Sequence, residues 1–188
     1  VFTSPSAHAE IRSLDVSDAL RVGGVHAILT ASDIPGENQI GGVIPDEPLF
    51  AEDRVMYRGQ PIALVVAEDE HTARKARGLI KLELRELEAV TDVREAFARS
   101  MFLSPPRTFS SGNIKNAWKK CGHIIEGSSE SGGQEHLYIE GQASYAYIKE
   151  EGSLRIISST QGPTHVQKTA AGVLGIPMHQ VEVDVTRL

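Results

Sequence analysis

The C-terminal stretch "SLRIISSTQGPTHVQKTAAGVLGIPMHQVEVDV" most narrows what this polypeptide can become. It begins as a short apolar strand, breaks at Gly162-Pro163, and resumes with Val166, Ala170, Val173 and Leu174 at helical spacing. Pro163 suits the first turn of a helix, where its missing N–H is one of the unpaired donors anyway. Gly175 suits the left-handed residue that ends one. "QVEVDV" then alternates as a strand. A strand–corner–helix–strand unit of this kind predicts a sheet with a helix packed on it. The polar segment Ser158-Ser159-Thr160-Gln161 falls at the C-terminal edge of the first strand, the edge where such sheets usually bind ligands.

The upstream sequence predicts a similar mixture. "AEIRSLDVSDALRVGGVHAILTASDIPG" reads as strand, one helical turn, then a short, mostly apolar strand of the buried type, closed by a corner over Ala31–Gly36. Residues 37–48 form a Gly- and Pro-rich loop, and "LFAEDRVMYRGQPIALVVAED" forms two or three strands folded around Gly59. Asp69 and Asp92 are placed to cap helices. Ile80, Leu82 and Leu84 alternate with Lys81, Glu83 and Arg85 as a strand with one wet face. "SMFLSPPRTFSSGN" has no period and reads as a linker. "IKNAWKKC" reads as a short helix, "HIIEGSSES" as a strand, and "ASYAYIKE" as another. No repeat or low-complexity segment appears.

Composition removes several function classes. The 188 residues carry a net charge of −6 with scattered Lys and Arg, which opposes binding to a phosphate backbone. The longest apolar run, Ile62–Ala67, is strand-sized and far too short to span a bilayer. A single cysteine, Cys121, excludes an internal disulfide framework and a Cys-rich metal site; it reads as a buried or half-buried small side chain, and the whole fits a reducing cytoplasm. The start has neither an initiator Met nor a signal-peptide pattern, and the chain is read as a piece of a longer protein.

No phosphate-cradling Gly loop and no nucleophile elbow is present. The seven His lack the spacing of a metal helix, so no protein-ligated metal is expected. Glu135 and His136 are adjacent, and adjacent strand residues point to opposite faces, so His136 reads as a hydrogen-bonded structural residue. The Gln161 amide both donates and accepts, and so can hold an oxo group or a water without adding charge. Spacing alone equally allows Gln161 to cap the helix or tie the turn.

"GGQEHLYIE" and "STQGPTHVQKTAAGVLGIPMHQVEVDV", together with "EPLFAEDRVMYRGQPIALVVAEDEHTARKA" and "GNIKNAWKKCGHIIEG" in the same order, resemble the molybdopterin-binding subunit of the xanthine dehydrogenase and aldehyde oxidase family. The resemblance implies an α+β chain: an α/β-hammerhead domain over residues 1–98, a linker over 99–111, and the first part of a mixed α/β molybdenum-cofactor domain over 112–188. It implies that Gln161 lies close to the oxo ligand of the metal. It gives Gln134 of "GGQEH" a supporting place near the site with no chemical step. His165 stands where mammalian members carry a substrate-channel lysine. The cofactor implied is Mo-molybdopterin, with 2Fe-2S clusters and FAD on other domains or subunits, and the intact enzyme is expected to be a homo-oligomer. The activity implied is hydroxylation of a purine, aldehyde or N-heterocycle with water-derived oxygen. The family's Gly-Gly-Gly-Phe-Gly-Gly-Lys-Glu loop and its glutamate base lie beyond Leu188, so no catalytic residue is expected within the chain, and an isolated piece is expected to be inactive. A non-catalytic assembly module is the competing expectation.

Overall fold

The computed structural model describes residues 1–139 and 141–186. Two compact units divide it, Val1–Ala89 with Gln142–Leu188 and Val90–Gly141.

In the first unit, β5 (Pro61–Ala67) lies between β1 (Phe2–Thr3) and β3 (Val25–Leu29), antiparallel to both. It buries Ile62 on one face and Ala63 and Val65 on the other, as its continuous apolar run suggests, and leaves Val66 37% exposed. Ile62 packs with Ala9, Ala51 and Val55, whereas Ala63 and Val65 pack with Ala19, Ile28, Ala76 and Ile80. Successive strand residues thus feed two cores. Phe2 and Leu14 touch both. The β3 strand differs from the buried strand expected of its sequence. It is an edge strand with only Ile28 buried and with His26 and Leu29 exposed, because β5 alone pairs with it.

A second sheet has β2 (Ala9–Asp15) between β4 (Arg54–Val55) and β6 (Lys81–Glu86). Leu82 and Leu84 turn inward to the Ile62 core. Lys81 and Arg85 turn outward, to Asp18 at 2.5 Å and to Glu10. Helix α1 (Ser17–Leu20) is the single turn expected, and α2 (Glu70–Arg77) buries Ala76. Asp69 accepts the Thr72 N–H at 2.7 Å, satisfying one orphan donor of α2. Asn38 closes the neck of the following Gly/Pro loop: its Nδ2 donates to Phe50 O at 2.8 Å and its Oδ1 accepts Phe50 N–H at 3.0 Å.

In the third sheet β8 (Leu154–Ser158) is central, with β7 (Ser144–Ile148) antiparallel and β9 (Val181–Val185) parallel to it. The parallel pair requires a crossover, and α5 (Pro163–Leu174) supplies it. Val166, Ala170 and Ala171 pack on Ile156 and Val181, while Leu174 of the expected apolar face is left 40% exposed. Gly175 ends the helix at φ 66°, and the Ile176 N–H returns to Ala171 O at 3.0 Å.

The second unit holds two short helices, α3 (Val93–Ala98) and α4 (Ile114–Trp118), capped by Asp92 and Asn113. None of its described residues is buried. The strand expected at "HIIEGSSES" is not formed. Only His123-Ile124-Ile125 there favours extended pairing, and Gly and Ser follow at once. Cys121 is exposed rather than buried, its Sγ donating to Ala117 O at 3.3 Å. No helix among the described residues is long and apolar enough to cross a membrane.

Candidate functional site

The turn between β8 and α5 is tied by its hydroxyls. Ser158 is buried, and its Oγ lies 2.7 Å from Ser144 Oγ of β7. Ser159 pairs with Ala143 three times: its N–H donates to Ala143 O at 3.1 Å, its Oγ donates to the same carbonyl at 3.1 Å, and its Oγ accepts Ala143 N–H at 3.0 Å. Thr160 Oγ1 accepts the Gly162 N–H at 3.1 Å. Three successive hydroxyl side chains therefore fix the backbone that carries Gln161.

Gln161 itself is spared that work. It is exposed, and no other described residue hydrogen-bonds its amide. It does not cap α5 either: the N-cap residue is Gly162, and no side chain accepts from the first turn. Both structural uses that spacing allowed for Gln161 are thus taken by neighbours or left unfilled. Pro163 has no N–H, and the free N–H groups of the first turn sit at the positive end of a twelve-residue helix. This end of the sheet offers hydrogen-bond donors without full charge. That suits an oxygen-rich, anionic group carried by a cofactor. Among the described residues no three His, Cys, Asp or Glu side chains gather as a metal-ligand set.

Charge collects at the opposite end of β8. Arg155 pairs with Asp184 and reaches Glu182 at 3.8 Å, which raises its pKa further. Lys149 bridges Glu151 at 2.7 Å and Glu182 at 3.2 Å. The Lys149 hydrogen bond, helped by Glu151's own backbone N–H and by Ser153, lowers the Glu151 carboxyl to about 2. An open polar cavity of about 800 Å³ runs from these charges to the first turn of α5, lined by Lys149, Glu182, His179, Gln167, Thr164 and Pro163. Gln161 does not line it.

His165 is exposed on the first turn of α5 and lines a second cavity, of about 680 Å³, with Lys168, Thr169 and the loop residues Glu37, Gln39 and Gly42. Gly42 approaches so closely that a Cβ there would lie 2.9 Å from the His165 ring. The loop over residues 37–48 therefore borders the helix that follows Gln161, a contact that local spacing gave no means of finding. Gln134 lies in the second unit, exposed and outside any helix or strand. Beside it the Glu135 carboxylate accepts the His136 backbone N–H at 2.9 Å. It thus faces main chain rather than the imidazole.

Two family models match the chain, end to end and in order. The aldehyde oxidase and xanthine dehydrogenase a/b hammerhead domain matches residues 1–88, and the molybdopterin cofactor-binding domain matches residues 96–188. Xanthine dehydrogenase from Dictyostelium discoideum is 39% identical over 98% of this chain and 14% of its own length. Aldehyde oxidase 2 from Cavia porcellus is 41% identical over 99% of this chain and 14% of its own length. The structure of an aldehyde oxidoreductase from Desulfovibrio gigas superposes with a TM-score of 0.85 at 27% identity, covering 98% of this chain and 22% of that one. The chain spans about 14% of the length of these curated relatives. An α+β hammerhead segment followed by a cofactor-binding βαβ unit, matched in that order by both models, places this chain in the aldehyde oxidase and xanthine dehydrogenase family.

Proposed function

We propose that this chain forms the hammerhead and the start of the cofactor-binding region of a molybdenum hydroxylase that hydroxylates a purine with oxygen from water. The observation that carries the site is the uncommitted Gln161 amide, held by a turn whose hydroxyls are all engaged. Gln161 and the free N–H groups of the first turn of α5 would hold bound Mo-molybdopterin; that cofactor supplies the two-electron oxidation. Gln161 would orient an oxygen of the cofactor by hydrogen bonding and take no part in proton transfer. His165, beside the loop at Gly42, borders the approach of substrate, and Gln134 is given a supporting role with no chemical step. The general base, the rest of the molybdenum domain, and the domain or subunit bearing 2Fe-2S clusters and FAD lie outside these residues, so the 188-residue chain alone is inactive. The cytoplasm and a homo-oligomeric intact enzyme complete the reading.

Relatives named for xanthine and for aldehydes match at nearly equal identity, 39% and 41%. That favours a second reading, in which an aldehyde or a non-purine N-heterocycle is the substrate. The test uses the full-length protein carrying this chain. Molybdenum content and dye reduction are measured with xanthine, benzaldehyde and quinoline. Gln161→Ala is expected to lower kcat about 10–100-fold, the equivalent of one lost hydrogen bond to a charged or strongly polar group. Cofactor-loaded protein inert toward all three substrates would refute the proposal and leave a non-catalytic module.

A further inference from the structure

The corner Asp33-Ile34-Pro35-Gly36 meets the far end of α5, main chain against main chain. Gly36 N–H donates to Val173 O at 2.9 Å, and Glu37 N–H donates to Gly172 O at 2.9 Å. Both acceptors lie in the last turn of α5, where helix geometry leaves carbonyls short of partners; Gly172 O also accepts the Gly175 N–H at 3.2 Å. The approach leaves no space for a side chain. A Cβ on Gly36 would stand 2.0 Å from Gly172 O, 2.5 Å from Gly175 N and 2.9 Å from Gly175 Cα. All three obstacles are backbone, so no rotamer change relieves them. From the other side, a Cβ on Gly175 would stand 3.3 Å from Pro35 O. A Cβ on Gly172 would enter open space. The close fit is thus specific to Gly36 and Gly175.

The same helix carries the Gln161 turn at its other end. A twelve-residue helix is about 18 Å long and transmits displacement as a rod. We infer that the clasp between residues 35–37 and 172–175 sets where α5, and with it the Gln161 turn, stands against the hammerhead segment, and that Gly36 is a positioning residue for that turn. Only the catalytic consequence rests on the role proposed for Gln161; the clasp does not. A methyl group 2.0 Å from a carbonyl oxygen must be relieved by a shift of about 1 Å or more. Misplacement of that size is worth about 100-fold in rate.

The experiment is hydrogen exchange by mass spectrometry on the full-length protein, with kcat measured per bound molybdenum. In the wild type, the amides of Gly36 and Glu37 are expected to exchange at least about 10-fold more slowly than those of Val43 and Ile44 in the same loop. Gly36→Ala is expected to speed exchange about 10-fold at residues 36–37 and also at 159–166, and to lower kcat about 100-fold with KM within about 2-fold. Gly172→Ala should leave exchange at residues 36–37 unchanged. Fast wild-type exchange at residues 36–37 overturns the clasp, and this measurement stands even if Gly36→Ala does not fold. Unchanged exchange at residues 159–166 in Gly36→Ala overturns the positioning role. So does unchanged kcat per molybdenum in Gly36→Ala when Gln161→Ala is impaired. If exchange behaves as expected but Gln161→Ala is fully active, the clasp stands and the role proposed for Gln161 fails.

Discussion

Asn38 offers a stringent test of how the loop over residues 37–48 is held. Its amide makes a paired contact with one residue twelve positions on, donating to Phe50 O at 2.8 Å and accepting Phe50 N–H at 3.0 Å. Phe50 is only 6% exposed, so neither group finds water easily when the amide is removed. An unsatisfied buried polar group costs about 1–3 kcal/mol, and Asn38→Ala creates two. The contact is partly open to solvent, so the expected loss is about 2–4 kcal/mol. Asn38→Asp separates the two bonds. An ionised carboxylate still accepts the Phe50 N–H but faces the Phe50 carbonyl with a second acceptor. Only its protonated form can donate there. The deficit of Asn38→Asp against wild type should therefore be largest at neutral pH and shrink as pH falls toward about 4, the ordinary range of a carboxylate, below which it is smallest. Urea unfolding at several pH values measures both effects. A loss below about 0.5 kcal/mol for Asn38→Ala, or a pH-independent deficit for Asn38→Asp, would refute the reasoning.

Ile62 is 1% exposed in a close-packed cluster, so Ile62→Ala should cost about 2–5 kcal/mol in the same unfolding assay. Asp69→Ala removes the cap of α2 and should cost about 0.5–2 kcal/mol, while Asp69→Asn should retain most of it. The Asp69 carboxyl is held below its ordinary pKa, first by the Thr72 N–H, so this contribution is present at neutral pH and is lost as pH falls below the ordinary carboxylate range. A carbon-detected NMR titration should find Glu151 titrating near 2, and Lys149→Met should bring it back toward the ordinary carboxylate range. Because the folded value is depressed, the Glu151 contribution is present at neutral pH and is lost progressively as pH falls from the ordinary carboxylate range through about 2.

What the sequence disclosed follows the reach of each interaction. Asp69, Asp92, Pro163 and Gly175 act within four residues of themselves, and the structure uses all four as their local chemistry predicts. The alternation of Lys81–Glu86 likewise reports a face, which is a local property. The edge position of β3 was not legible, because it depends on which strands line up beside β5. The irregular course of residues 123–131 was missed because two β-branched side chains suggest a strand but do not supply a partner. At the site, the corner before α5 was readable from Gly162-Pro163. The division of labour within it was not, since Ser159 ties to Ala143 across a hairpin. Gly36 reads locally as an ordinary corner residue. The reason it must lack a side chain lies at Gly172 and Gly175, far along the chain.

The strand registers also order events in time. The hairpin of β7 and β8 joins Ser144 to Ser158, 14 residues apart, whereas β2 and β6 join Glu10 to Arg85 across 75. Closing the larger loop costs about 1.5 kcal/mol more chain entropy before any contact repays it. The C-terminal sheet should therefore assemble first in refolding, and the hammerhead sheet should close slowly around it. The meeting of Gly36 with the finished helix comes last.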